Sequence, residues 1–132
     1  MRVFKQNKLW RDKAITRLEE SGSKIHTLDL ADQEYDKQLR LKLVEEADEV
    51  LKAPSKSTLI EELADVLEVI KALCKAHAIT LDTVSEAQEK KYRERGGFES
   101  KKFVVKAEHP EGSFGEKYCL ADPEKYPEIE QY

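Results

Sequence analysis

Apolar residues return at helical spacing through most of the chain, and turn-forming residues cut that pattern into four segments. Ile15 and Leu18 share a face of a stretch closed by Ser21-Gly22, which predicts a first helix from about Asp12 to Glu20. Ser23 to Leu30 alternates only weakly and reads as an extended connection. Leu39, Leu43, Ala47 and Val50 then recur at helical spacing, predicting a second helix from Asp32, read as its N-cap, to about Lys52, before Pro54 and Ser55. A third is expected from Ser57 or Thr58 to about His77, with Thr58 and Glu61 as a capping box. Leu59, Ile60, Leu63, Val66, Val69 and Leu73 make it apolar around most of its circumference, which marks a central helix. Thr80 caps a fourth, Ile79 and Val84 are spaced as its hydrophobic staple, and Gly96-Gly97 stops it. The pattern fails from Val104, where Pro110, Pro123, Pro127 and three of the five tyrosines lie among mostly acidic residues. The expectation is an all-α bundle over residues 1–103, followed by an irregular acidic tail over 104–132, lying along the bundle or a partner copy.

Within this helical frame, two acidic groups stand out: Glu45-Glu46-Ala47-Asp48-Glu49 and Glu61-Glu62-Leu63-Ala64-Asp65. At roughly 100° per residue, Glu46 and Glu49 fall on the margin of the second helix's apolar stripe. Glu62 falls between Val66 and Val69, and Asp65 between Val69 and Ala72, inside the apolar sector of the most apolar helix. An unpaired carboxylate in such a place costs free energy unless a cation, a proton or donors compensate it. No Lys or Arg occurs between Leu59 and Ile70, so a divalent cation shared by Glu46, Glu49, Glu62 and Asp65 is the compensation expected. An all-oxygen donor set favours Mg²⁺, with Mn²⁺ as substitute, over Zn²⁺. Glu45, Asp48 and Glu61 point away from the stripe, where ordinary surface ion pairing accounts for them. Lys90, Lys91, Arg93 and Arg95, and the second basic group Lys8, Arg11 and Lys13, are the supply of positive charge for phosphates. A helix C-terminus also favours the first of these groups without any ligand.

Composition adds limits. Of the 132 residues 38% are charged and 39% hydrophobic, which suits helices with wide solvated faces and an apolar surface shared between copies. A net charge of −4 excludes the broad positive field that collects a nucleic-acid polymer. No apolar run is long enough to span a bilayer, and no apolar core follows the charged N-terminus, so a soluble cytoplasmic protein is expected. Cys74 and Cys119 lack metal-type spacing and read as reduced thiols. His77 is placed as a C-terminal dipole partner of the third helix, His26 and His109 lack ligand spacing, and Trp10 and Phe98 are expected to anchor the bundle ends.

The order Glu45-Glu46-x-x-Glu49, a Pro54 loop, then Glu62-x-x-Asp65 resembles the all-α nucleoside triphosphate pyrophosphohydrolases, the MazG-like superfamily. The opening Lys8-Leu9-x-Arg11-Asp12-Lys13 and the closing Lys91-x-Arg93-x-Arg95-Gly96-Gly97-Phe98 are similar to its house-cleaning branch. This resemblance implies that Glu46, Glu49, Glu62 and Asp65 ligate Mg²⁺ and that Glu45 orients the attacking water, making Glu45 and Glu46 the catalytic pair. It implies cleavage of a nucleotide to NMP and pyrophosphate and a homodimer or homotetramer; from the basic groups, Lys91, Arg93, Arg95, Lys8 and Arg11 are the residues expected to bind the phosphates. Pyrophosphate removal from phosphoribosyl-ATP and a non-catalytic nucleotide-binding module are the alternatives. Trp10 stands where the family usually has a small aliphatic residue, and Ala14-Ile15 replaces its common Ile-Pro.

Overall fold

Helical periodicity governs the first two helices almost to the residue. In the computed structural model, which describes residues 1–130, α1 spans Asp12–Glu20 and α2 spans Asp32–Lys52. They are followed by α3 (Lys56–Ala76), α4 (Leu81–Arg95) and α5 (Phe114–Leu120), and there is no strand among the described residues. Residues 22–31 are non-helical, as the weak alternation there suggests.

The helix starts depart from expectation in detail. Ala31 is the N-cap of α2 and makes no side-chain cap bond, so Asp32 lies inside the first turn, favourably placed against the helix dipole with Glu34. Ser55 caps α3 by accepting the Thr58 backbone N–H at 3.2 Å, so the helix starts before the expected Thr58 box. Thr80 does cap α4, accepting the Thr83 N–H at 3.1 Å. At the far end of α3 the chain turns through Ala78, a non-glycine residue with φ 52°. There the Ile79 N–H reaches the Cys74 carbonyl at 2.8 Å and the Ala78 N–H the Lys75 carbonyl at 3.3 Å, the paired bonds of a Schellman motif.

The α2–α3 hairpin holds the core. The two helices are joined by only Ala53, Pro54 and Ser55, and theirs is the one extensive helix–helix packing among the described residues. Leu39 on α2 with Val69 and Cys74 on α3 are the buried apolar residues among those described. The Nε2 of His77 bonds the Asp36 carboxylate at 2.5 Å, tying the α3 C-terminus to the first turns of α2. Much of the apolar surface expected to be central stays open: Ile60 is 60% exposed, Leu63 50% and Leu67 44%. A single copy does not cover α3.

By packing, the chain divides into a unit spanning Met1–Glu94 and a second unit beginning at Arg95. The second unit corrects the expectation of an irregular tail. Ser113 caps α5 by accepting the Glu116 N–H, while the Glu116 carboxylate accepts the Gly112 N–H, a reciprocal capping arrangement. The rings of Phe114 and Tyr118, and of Tyr118 and Tyr126, lie 5.9 and 5.5 Å apart, so the tail's aromatics pack on each other. Phe98, expected as an anchor, is 97% exposed, whereas Trp10 is half-buried.

Candidate metal centre

Two long helices running side by side bring distant carboxylates together. Glu46 on α2 and Glu62 and Asp65 on α3 each offer a carboxylate oxygen, and all three atoms lie within 4.8 Å of one another. The spacing Glu62-x-x-Asp65 puts two acids on neighbouring turns of one face, and the short hairpin loop sets Glu46 opposite them. Glu46 is the most enclosed of the acids with ion pairs here, its side chain 13% exposed, against 39% for Asp65. Glu49, expected as a fourth ligand, is exposed and stands outside this trio.

The trio's charges repel one another. Partial loss of water pushes the Glu62 carboxyl above its ordinary range, and the charges of Asp65, Glu49, Glu46 and Glu61 push it further the same way. Glu49 is thus part of the local field even though it stands apart from the trio.

Cations from outside the hairpin offset part of this charge. Arg11 Nη2 donates to Asp65 Oδ1 at 2.7 Å, bridging 54 positions of sequence. Lys8 Nζ donates to Glu45 Oε1 at 2.9 Å, while Lys42, one turn earlier on α2, lies 3.2 Å from the other Glu45 oxygen and 3.6 Å from Glu46. Burial alone would raise the Glu45 carboxyl, but the hydrogen bonds from Lys8 and Lys42 outweigh it and hold the group below its ordinary range. The same bond from Glu45 holds the Lys8 ammonium above its usual value. Lys8 lies just after Asn7, a left-handed residue with φ 49°, and Arg11 is the N-cap of α1. Lys8 and Arg11 therefore bracket half-buried Leu9 and Trp10 in a segment that straps the acidic end of the hairpin.

Beside the strap, Gln6, Asn7, Lys8, Leu9, Gln38, Leu41, Lys42 and Glu45 line a cleft of about 260 Å³. It combines amide groups, two ammonium groups, the Glu45 carboxylate and two leucines, one of them half-exposed. Asp48 forms the ordinary surface pair expected of it, with Lys52 at 2.7 Å. Lys91 and Arg93 stand exposed on α4, which packs on the hairpin at most marginally, and Arg95 belongs to the second unit. Sequence reasoning missed Lys42 as a partner of the acids, although its positions three and four before Glu45 and Glu46 were a usable signal. No local signal points to the Arg11–Asp65 pair.

The donor set fits a hard divalent cation: three carboxylate oxygens, mutually close and incompletely neutralised, with no sulfur or imidazole among them. Such a carboxylate group on an antiparallel helical hairpin is an arrangement that could hold a divalent cation. Residues 34–97, which contain most of α2, all of α3 and the whole trio, match the MazG nucleotide pyrophosphohydrolase domain, a match that supports the MazG-like superfamily. No curated protein and no solved structure gives a significant match.

Proposed function

We propose that this protein hydrolyses the α–β phosphoanhydride bond of nucleoside triphosphates, releasing NMP and pyrophosphate, with Mg²⁺ as cofactor and non-canonical nucleotides as substrates. The observation that carries this reading is the convergence of Glu46, Glu62 and Asp65 within 4.8 Å, inside the segment that matches a nucleotide pyrophosphohydrolase domain. Mg²⁺, or Mn²⁺ in its place, supplies neutralisation of the phosphate oxygens and lowers the pKa of a coordinated water. Glu46, Glu62 and Asp65 hold the cation, with Glu49 as a fourth, more exposed donor.

The remaining work falls to residues around the trio. Glu45, held ionised by bonds from Lys8 and Lys42 to its two oxygens, orients the attacking water beside Glu46. Lys8 and Arg11 point at the acidic end of the hairpin and, with Lys42 beside Glu46, are the positive charges at hand for a triphosphate. Lys91 and Arg93 supply further positive charge from the exposed surface of α4. The cleft between Gln6, Leu9, Gln38 and Leu41 offers amides and apolar surface for the base. The working unit is a homodimer or homotetramer, because the exposed apolar face of α3 needs a second copy to cover it.

Pyrophosphate release measured across a panel of canonical, modified and phosphoribosylated nucleotides at moderate Mg²⁺ tests the reading. The expected result is metal-dependent release from one or more triphosphates. Absence of release from every nucleotide, with Mg²⁺ or Mn²⁺, would overturn it.

A further inference from the structure

The ion pairs of the strap suggest more than passive charge balance. Arg11 occupies Asp65, a member of the trio, while Lys8 occupies its neighbour on α2, Glu45. One short segment therefore places a guanidinium on α3 and an ammonium on α2, with half-buried Leu9 and Trp10 between them. A guanidinium on a carboxylate oxygen and a divalent cation on the same carboxylate oppose each other twice. They compete for the same lone pairs, and their like charges repel at close range.

We infer that Arg11 is an exchangeable counter-ion of the metal centre: it holds Asp65 in the metal-free protein, is displaced when a divalent cation binds, and is thereby delivered to the substrate's phosphates. This inference rests on the metal site proposed above and adds an order of events to it. The arginine that would bind triphosphate is sequestered until the site is loaded, so metal-free protein engages nucleotide poorly. Arg11 suits this exchange because its side chain is 59% exposed and can swing without leaving a buried charge behind.

The single tryptophan, Trp10, adjoins Arg11 and is half-buried, so its fluorescence reports the strap directly. The experiment titrates Mn²⁺ alone into metal-free wild type, Arg11→Gln, Lys13→Gln and Glu62→Gln, reading calorimetric affinity and Trp10 emission. Lys13→Gln removes the same charge nearby and sets the effect of general electrostatics. Arg11→Gln should bind Mn²⁺ about two- to fivefold more tightly than Lys13→Gln, the range an exposed ion pair can hold back. Wild-type Trp10 emission should shift on Mn²⁺ binding, and that shift should be largely absent in Arg11→Gln. If Arg11→Gln and Lys13→Gln bind Mn²⁺ equally, the exchange is refuted while the metal centre stands. If wild type and Glu62→Gln bind Mn²⁺ indistinguishably, the metal centre fails and the exchange with it.

Discussion

Glu62 is held above its ordinary range by partial loss of water and by four neighbouring acids, and this is a cost that the metal-free protein carries. For an acid with a raised folded-state pKa, the cost is present above the usual value of 4.5 and vanishes as pH falls below it, where both folded and unfolded chains are protonated. Glu62→Gln should therefore raise the melting temperature of the metal-free protein slightly at pH 7 and leave it unchanged near pH 4. Its turnover should fall by at least about 100-fold, beyond what loss of a merely orienting residue brings. Wild-type turnover in this mutant, or a lower melting temperature without metal, would remove Glu62 from the site. Glu45 and Asp36 carry the opposite sign. Burial raises Glu45, but bonds from Lys8 and Lys42 lower it overall; the His77 bond is the largest influence lowering Asp36. Their contribution is present above the usual 4.5 and 3.8 and is lost as pH falls through the depressed folded values. Melting curves from pH 6 to pH 3 should thus show steeper acid destabilisation in wild type than in Asp36→Asn.

At the scale of the element, helix ends hold the testable stability. Ser55 provides the one side-chain cap of α3, so Ser55→Ala should cost about 1 kcal/mol in denaturant melts. Ala78 closes the same helix in the left-handed region, where a Cβ is disfavoured, so Ala78→Gly should stabilise by about 1 kcal/mol. The long helices were legible because 21 residues contain many apolar repeats and because Ser21-Gly22 and Pro54 interrupt them. The seven-residue α5 was not: it spans two turns, too few to establish a period, and the surrounding prolines dominate the local signal. Only its Ser113-x-x-Glu116 cap could have announced it. The acidic trio was legible for a physical reason, since Glu62 and Asp65 interrupt an apolar sector. Which cations would approach them was not legible, because Arg11 reaches Asp65 through tertiary placement across 54 residues. Glu49 shares the helical margin of Glu46 by spacing, yet exposure and geometry set it apart.

Taken as a whole molecule, the chain has its buried core residues in one hairpin and leaves Ile60, Leu63 and Leu67 on the same helix open. No described helix is long and apolar enough to cross a membrane. Light scattering at micromolar concentration should give a multiple of the 15.2 kDa chain mass. Leu67→Glu should lower that mass while keeping helical circular dichroism, because a buried charge at an apolar interface opposes association. A monomeric wild type with full activity would contradict this arrangement. The hairpin itself has a further consequence. All three carboxylates of the trio fall within the stretch from Glu46 to Asp65, on helices joined by a three-residue turn. Such short-range topology forms quickly and without a second chain, whereas association is a slower, concentration-dependent event. Metal capture should therefore be a first-order property of the newly made polypeptide, and turnover a second-order one. On serial dilution, Mn²⁺ affinity should hold constant while specific activity declines, so that cells making little of this protein would contain copies able to sequester metal yet unable to use it.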